Sequence, residues 1–309
     1  MVFYSNRAEK GLLEPVMQSI DGSRKLELVK VDLFKDLVKP KRMSEYGLFY
    51  SLAYELMQVE KPALALCAFD RFEMAFPTLA AFYQHIPIAQ MHAGDLSLEG
   101  TWDDVTRHVI SLYASIHFCE GENSYRRGVN TLKNLGRSTE HVYEVGSTAF
   151  DNLKIDTSFC PKEPYDLVVY CSPTRRLDVI ILEIRQIFGI LDKFTVWVEP
   201  SGRDPGDQQI INILNTYNTQ LSSPQPYLLL KTLPRPLFLG LLKNCERVIG
   251  NSSSLFYEAP NFLRKEQIIH VGVRNKGREF VKIRKGGSRR IVKILERFLD
   301  GNIREHENR

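Results

Sequence analysis

The chain has 309 residues, of which 43% are hydrophobic and 25% charged, and its formal net charge is +4. This composition is typical of a soluble globular protein and excludes extensive disorder and a collagen-like repeat. The length favours roughly two domains. No apolar run approaches the roughly 18 residues that a membrane span requires, and no secretory signal is evident, so we expect no membrane partner.

Metal, disulfide and nucleic-acid sites are not indicated. The five cysteines and seven histidines show no CxxC, HExxH or closely spaced histidine pair, so we expect reduced cysteines, no metal and a cytoplasmic location. Seven basic residues lie between Lys282 and Arg297, against the single acid Glu296. Because the apolar residues of this segment repeat with a helical period, we expect a packed terminal helix with a solvated basic face and no nucleic-acid partner.

Short apolar runs alternate with helical patterns along the chain. Their continuous apolar character is typical of parallel strands covered on both faces, and the alternation predicts an α/β, doubly wound fold. The predicted strands are Ala63–Phe69, Ile86–His92, Ile116–Cys119, Asp166–Tyr170, Phe194–Val198, Tyr227–Lys231, Arg247–Gly250 and Ile268–Val271. The polar segment Lys154–Pro164 divides the chain into two halves. Two such domains would face each other across a cleft, with ligands beyond the carboxyl ends of the strands.

Acidic residues follow the predicted strands of the first half. Carboxylates that crowd together raise one another's pKa, which is the usual preparation for general acid–base catalysis. The candidates for this role are Asp70, His92, Asp95, Asp103, Asp104 and Glu122. The alternative is a polar loop whose aspartates cap helices.

A helix is predicted for DDVTRHVISLYASIHF, residues 103–118. Its expected buried face consists of Val105, Val109, Leu112 and Ile116. Its opposite face consists of Asp104, Arg107, His108 and Ser111. Since the second face follows the acidic loop directly, we expect it to line the ligand site, although a lone histidine on a helix is often structural.

The segment RVIGNSSSLFYEAP, residues 247–260, predicts a strand that ends at a capped helix. Hydroxyl and backbone N–H groups at a helix N-terminus suit an anion such as a diphosphate. A carboxylate one turn further along could accept hydrogen bonds from ribose hydroxyls, and two arginines after the last strand could add positive charge. The candidates are Asn251, Ser252, Ser253, Ser254, Glu258, Arg274 and Arg278. A capped helix that binds no ligand is the alternative.

Taken together, these stretches resemble the UDP-N-acetylglucosamine 2-epimerase family, especially its hydrolysing, sialic-acid-pathway branch. The similar segments occur in the family's order over nearly the whole chain. They are NRAEKGLLEPV (6–16), FDRFEM (69–74), HAGDLSLEGTWDDVTRHVISLYASIHF (92–118), GSTAFDNL (146–153), EPSGRDPG (199–206), RVIGNSSSLFYEAP (247–260) and VGVRNKGRE (271–279). Arg7 is similar to the arginine of the family's opening segment.

The resemblance implies a GT-B-like fold of two Rossmann-like domains. The first, residues 1–155, would carry the catalytic acids, the second, residues 156–287, would bind UDP, and a helix over 288–309 would cross back to the first. It also implies a reaction in which a UDP-sugar such as UDP-GlcNAc loses its C2 proton and expels UDP, leaving 2-acetamidoglucal. Water then adds to give ManNAc. The family is usually homodimeric and uses no organic cofactor.

The chain differs from the family pattern at four places, two of which are Ser5-Asn6 in place of its Gly-Thr and Asp95 in place of the commoner glutamate. Cys171 and Ser172 stand where the family has a histidine implicated in the chemistry, and Leu255 stands where it has a glycine, which adds bulk beside the expected diphosphate. The sequence leaves three functions open: a hydrolysing 2-epimerase, a sugar-nucleotide-binding protein without turnover, and a non-hydrolysing epimerase or GT-B glycosyltransferase.

Overall fold

The computed structural model describes residues 1–5, 7–67, 71–95, 102–151, 153–173, 176–200, 206–220, 227–231, 233–276, 278, 280 and 284–307. The chain divides into two compact units. Unit 1 comprises Met1–Asn152 and Ile283–Arg309, and unit 2 comprises Leu153–Lys282. None of the described helices has the length and apolarity that crossing a membrane requires.

The described part of unit 1 contains a six-stranded parallel sheet with strand order β2-β1-β3-β4-β5-β6. Its strands are β1 (Val2–Tyr4), β2 (Lys30–Asp32), β3 (Ala65–Cys67), β4 (Ile88–Met91), β5 (Ile116–Cys119) and β6 (Val142–Glu144). Its first helices are α1 (Arg7–Asp21), α2 (Leu48–Glu60), α3 (Ala75–Tyr83), α4 (Trp102–Tyr113) and α5 (Glu122–Asn134). Every residue of β3, β4 and β5 is buried, as expected of parallel strands with helices on both faces.

Unit 2 is built on a parallel sheet with strand order β11-β10-β7-β8-β9. Its strands are β7 (Asp166–Val169), β8 (Thr195–Val198), β9 (Tyr227–Leu230), β10 (Arg247–Gly250) and β11 (Ile268–His270). Its helices are α6 (Leu177–Ile190), α7 (Asp207–Gln220), α8 (Arg235–Asn244) and the single turn α9 (Ser254–Tyr257). The consecutive β7 residues Leu167 and Val168 belong to different hydrophobic clusters, because successive side chains of a strand point to opposite faces of the sheet. The two sheets confirm the predicted α/β class.

The terminal helix α10 (Gly287–Glu307) belongs to unit 1, where Ile291 and Leu295 are buried in the core. Asp151 fixes the start of this helix. Its Oδ1 accepts the Gly286 N–H at 2.6 Å, and its Oδ2 accepts the Ser288 N–H at 2.8 Å and the Ser288 hydroxyl at 2.7 Å. A carboxylate at a helix N-terminus satisfies backbone N–H groups that lack partners inside the helix.

The prediction of which face of α4 is buried is wrong. Val105 is 63% and Leu112 36% exposed, whereas Arg107 and Ser111 are 2% and 5% exposed. The reason is Gln90 of β4, which is fully buried. Its Nε2 donates to the Arg107 carbonyl at 3.0 Å, and its Oε1 accepts the Ser111 hydroxyl at 2.7 Å. A buried polar strand residue thus turns the polar face of α4 inward. The helix ends at Tyr113, and the predicted face residue Ile116 lies in β5.

We expect the Asp151→Ala substitution to lower the free energy of unfolding by about 2 kcal/mol, because it removes the acceptor for the first N–H groups of α10. Urea denaturation followed by circular dichroism measures the change. Asp300→Ala is the matched control: it breaks only the exposed pair between Lys25 Nζ and Asp300 Oδ2, at 2.6 Å, so we expect less than about 0.5 kcal/mol. Equal losses in the two variants would contradict the capping role of Asp151.

Candidate functional site

The turn after β4 presents His92 and Asp95 at the carboxyl edge of the unit 1 sheet. Between them, Gly94 has a φ of +69° and lies against the backbone of α5. A Cβ atom at Gly94 would come within 2.0 Å of the Ser124 carbonyl oxygen. Because only glycine tolerates both this φ and this approach, the turn is fixed by backbone contacts and holds the two side chains in place.

Asp95 lies between two arginine side chains. Its Oδ2 is 3.7 Å from Nη1 of Arg107, and its Oδ1 is 4.0 Å from Nη2 of Arg127. Arg127 also donates from Nε to the Gly94 carbonyl at 2.8 Å, which ties it to the same turn. The charge of Asp95 is therefore balanced within unit 1. The crowding of carboxylates that we expected around Asp95 involves Asp103 and Asp104, whose side chains lie outside the described part of the structure, so it stays a prediction.

Four predicted residues lie outside the described part of the structure, wholly or in their side chains. Asp70 is not described, and neither are the side chains of Arg7, Asp103 and Asp104, so their roles stay predictions. His108, on α4, is half-buried.

His92 contacts a carboxylate that follows the neighbouring strand. Its Nε2 is 3.3 Å from Oε1 of Glu120, and both side chains are largely buried. His92 also has a φ of +55°, which is uncommon for a residue with a side chain. Glu122, the predicted residue, instead begins α5, is mostly exposed and pairs with Arg126. The signal for Glu120 was available in the sequence, since Glu120 directly follows β5 as His92 directly follows β4.

Glu9, in the first turn of α1, is a buried carboxyl group that the sequence patterns did not indicate. Its Oε2 accepts the Ser5 N–H at 2.6 Å and the Ser5 hydroxyl at 2.8 Å. Burial raises the pKa of Glu9 to about 7, helped by the charge of Glu73 and opposed by the Ser5 hydrogen bonds and the charge of Arg71. A carboxyl group that titrates near neutral pH is suited to proton transfer.

Asn251 joins the carboxyl ends of β7 and β10 in unit 2. It is fully buried. Its Oδ1 accepts the Cys171 N–H at 2.8 Å, its Nδ2 donates to the Cys171 carbonyl at 2.9 Å, and its own N–H donates to the Val169 carbonyl at 3.2 Å. Asn251 was predicted to bind substrate. In the structure both polar atoms of its side-chain amide bond the backbone of the neighbouring loop, so it positions the site.

The serine-capped helix α9 has one turn only. Ser253 precedes it without a side-chain capping bond, whereas the Ser252 hydroxyl oxygen accepts from the Ser254 N–H at 3.3 Å and from the Ser254 hydroxyl at 3.0 Å. So few aligned peptide units give a smaller dipole than a full helix. Leu255 is fully buried in the unit 2 core, so the bulk that we expected beside the diphosphate points away from this edge.

The loop after β11 is bonded to the loops after β7 and β10. Arg274 donates from Nη1 to the Ser172 carbonyl at 2.9 Å, and Asn275 donates from Nδ2 to the Asn251 carbonyl at 2.8 Å. Arg278 donates from Nη1 to Oδ1 of Asn275 at 2.8 Å. The structure thus brings predicted residues from the ends of β10 and β11 together with the backbone of the loop after β7.

Glu258 and Arg278 have further contacts within unit 2. Glu258 pairs with Arg235 at 2.8 Å, and the guanidinium carbon of Arg278 lies 4.6 Å from the centre of the Tyr257 ring. Recognition of ribose by Glu258 therefore stays a prediction. Among the described residues, no group of three or more His, Cys, Asp and Glu side chains could hold a metal ion.

The fold and this polar edge define a class of protein: an α/β protein of two Rossmann-like, GT-B-like units. The family model described as UDP-N-acetylglucosamine 2-epimerase matches residues 17–308. The chain therefore belongs to the UDP-N-acetylglucosamine 2-epimerase family, which confirms the resemblance seen in the sequence.

Individual relatives agree with this assignment. The chain is 28% identical over 239 residues to UDP-N,N'-diacetylbacillosamine 2-epimerase (hydrolyzing) of Legionella pneumophila, which covers 73% of this chain and 60% of the relative. It is 28% identical over 247 residues to GDP/UDP-N,N'-diacetylbacillosamine 2-epimerase (hydrolyzing) of Campylobacter jejuni, covering 75% and 62%. The chain thus spans about three fifths of the length of these relatives. The Staphylococcus aureus MnaA–UDP structure has a TM-score of 0.70 at 20% identity, covering 96% of this chain and 87% of that chain, and supports the fold.

We expect the free energy of unfolding to fall as the pH rises from about 4.5 to about 7, because folded Glu9 keeps a proton that the unfolded chain has lost. Below this range both states are protonated, and above it both are ionised, so the curve flattens. The total fall is about 3 kcal/mol. In Glu9→Gln this contribution is absent, which urea denaturation between pH 4.5 and 8 measures. The exposed control Glu55→Gln should keep the native dependence, and a native pH dependence in Glu9→Gln would refute the assignment.

Proposed function

We propose that unit 2 binds the diphosphate of a UDP-N-acetylhexosamine. The observation that carries this proposal is the convergence of the loops after β7, β10 and β11 at one sheet edge, held by the Asn251 amide and bearing the Ser252 hydroxyl and the Arg274 guanidinium. Hydroxyl, backbone N–H and guanidinium groups together are suited to phosphate oxygens. The similar Staphylococcus aureus protein was solved with UDP, which supports the choice of nucleotide.

Unit 1, in this proposal, supplies the groups that move protons on the sugar. Asp95, His92 and Glu120 are the described candidates, Asp70, Asp103 and Asp104 are candidates by resemblance, and Arg7 would bind the substrate. A base removes the proton from C2 while the C1–O bond breaks and its electron pair leaves with UDP, which gives 2-acetamidoglucal. Water then adds its hydroxyl to C1 and a proton returns to C2 on the opposite face, giving ManNAc or the corresponding 2-epimer. The two curated relatives named as hydrolysing enzymes favour this outcome over re-addition of UDP.

A second function is favoured by one observation. Cys171 and Ser172 occupy the position of the family histidine, and neither provides an imidazole base near neutral pH. The chain would then be a sugar-nucleotide-binding protein without turnover. It would bind UDP-sugars at the same edge of unit 2 and leave the C2 proton in place.

Incubation with UDP-GlcNAc in heavy water, followed by proton NMR, tests the two functions. We expect deuterium at C2 together with free ManNAc and UDP. Deuterium in UDP-ManNAc would indicate the non-hydrolysing reaction, UDP binding without exchange would indicate the binding protein, and transfer of the sugar with C2 unchanged would indicate a glycosyltransferase. The diacetylbacillosamine analogue should be assayed in parallel, since the relatives are named for it.

In the same assay we expect Asp95→Asn to lower the exchange rate at least about 100-fold, because the variant loses a carboxylate that can take a proton. Its affinity for UDP should stay within about twofold, since UDP binding is assigned to unit 2. Asp21→Asn, at an exposed aspartate of unit 1, is the matched control and should keep full activity. A fully active Asp95→Asn variant would remove Asp95 from the mechanism.

We further propose a homodimer located in the cytoplasm. The support for the dimer is an apolar face on α3 and α4 of unit 1, where Phe82, Tyr83, Val105 and Leu112 are exposed and the Phe82 and Tyr113 ring centroids lie 4.7 Å apart. Exposed apolar faces of this kind commonly mark protein interfaces. The support for the cytoplasm is that all five cysteines are free thiols.

We expect Tyr83→Glu to convert a dimer to a monomer, because it places a charge in this apolar face. Light scattering coupled to size-exclusion chromatography measures the mass. The control Val59→Glu changes another exposed apolar residue of unit 1, outside this face, and should leave the mass unchanged. A native monomer, or a Tyr83→Glu dimer, would contradict the proposed interface.

A further inference from the structure

Glu183 is a buried glutamate on the core-facing side of α6. It is 4% exposed, and its helical neighbours Ile180, Ile184 and Ile187 are buried in the same core. Burying a carboxyl group is unfavourable unless its oxygens accept hydrogen bonds, and an aliphatic side chain is the usual occupant of such a position. We therefore expect the Glu183 carboxyl group to accept hydrogen bonds inside the core.

Both oxygens of Glu183 hold groups that follow strands of the sheet. The Tyr170 hydroxyl, directly after β7, donates to Oε2 at 2.7 Å. The Val273 N–H, after β11, donates to Oε1 at 3.0 Å. The ladder between β10 and β11 is last continued by the Val271 N–H, which bonds the Gly250 carbonyl at 2.9 Å. Two residues further along, the Val273 N–H bonds the Glu183 carboxyl group in place of a neighbouring strand.

Gly272 allows this close approach. A Cβ atom there would lie 2.4 Å from Cδ and from Oε2 of Glu183, and the φ of Gly272 is +93°, a conformation that favours glycine. The carboxyl group therefore packs directly on the backbone of the loop. Its removal would leave space beneath the loop as well as an N–H group without its acceptor.

The residue after Val273 is Arg274, whose guanidinium belongs to the anion-binding edge described above. It donates to the Ser172 carbonyl, and its own carbonyl accepts from Nε2 of His270 at 2.6 Å. Burial and the Glu183 carboxyl group raise the pKa of Tyr170, whereas the charge of Arg274 lowers it. Arg274 and Glu183 therefore both act on Tyr170.

We propose that Glu183 is a positioning residue: it fixes the loop from Gly272 to Asn275, so that Arg274 is held where it meets the diphosphate of a UDP-sugar. This inference rests on the proposed function of unit 2. Glu183 would not touch the ligand. It would act through Arg274, and its effect on affinity should depend on that arginine.

Calorimetric titration with UDP tests the inference on the full chain. We expect Glu183→Ala to weaken UDP binding about tenfold in the native background and less than about twofold in the Arg274→Ala background, since a positioning effect disappears when the positioned group is absent. Glu183→Gln keeps an oxygen acceptor of the same shape, so it should restore the affinity to within about threefold of native.

The control Ile187→Ala removes buried volume from the same face of α6, one turn beyond Glu183. It should lower the thermal midpoint while leaving UDP affinity within about twofold of native. If Glu183→Ala does not fold, Tyr170→Phe removes one of the two bonds to the carboxyl group and should weaken UDP binding about threefold, again only when Arg274 is present.

The outcomes separate the inference from the function on which it rests. Native protein that binds no UDP would overturn the proposed function and this inference with it. Native protein that binds UDP, with Glu183→Ala binding equally well or losing the same factor when Arg274 is absent, would overturn the positioning role alone.

Discussion

The buried amide of Asn251 is the contact on which the edge of unit 2 depends. Its side chain bonds the Cys171 backbone twice, and its backbone carbonyl accepts from Asn275, so one residue bonds the loops after β7 and β11 to its own loop after β10. Losing a buried partner of this kind costs about 1–3 kcal/mol for each group left without a bond. Loss of the Asn251 side chain would therefore leave more than one buried backbone group without a bond and would destabilise the whole edge.

In both units, the polar residues described above lie at the ends of strands. Strands of both sheets are covered on both faces, so side chains within them are mostly apolar and the chemistry is confined to the strand ends. In unit 1, His92 and Glu120 end adjacent strands and contact each other. In unit 2, Asn251 and Arg274 follow adjacent strands and are joined through one loop.

Continuous apolar runs predicted the central strands well, because burial on both faces leaves a strong signal. The edge strands β2 and β6 were missed because each has three residues and includes an exposed charged residue, Lys30 in β2 and Glu144 in β6. The short strand β1 was missed as well. The orientation of α4 was predicted wrongly because helical periodicity assumes that buried faces are apolar, whereas Gln90 satisfies a polar face from the strand beneath it. Which face of a helix is buried depends on the residues that pack against it, and the sequence of the helix alone does not show them.

Position in the sequence predicted which residues follow the strands but not their contacts. Residues such as Asp95 and Asn251 were identified because a parallel strand directs the residue after it to the carboxyl edge of its own sheet. Their partners were not, since nothing in the local pattern shows that Asp95 lies between arginines or that the Asn251 amide bonds backbone. Buried carboxyl groups on helices, Glu9 and Glu183, were missed because a glutamate in a helical pattern is typical of an exposed face.

Charge is arranged differently in the two units, and the difference bears on the chemistry. At the edge of unit 2, the guanidinium of Arg274 is oriented by a carbonyl oxygen and that of Arg278 by an amide oxygen. An oriented guanidinium loses less freedom when an anion binds, so this orientation supports the proposed diphosphate site. Position 171 carries a thiol in place of an imidazole, and its backbone is committed to Asn251. In unit 1, by contrast, Glu9 titrates near pH 7 and His92 contacts Glu120. In the proposed reaction, with a thiol at position 171, proton transfer is assigned to unit 1 and its buried carboxyl groups.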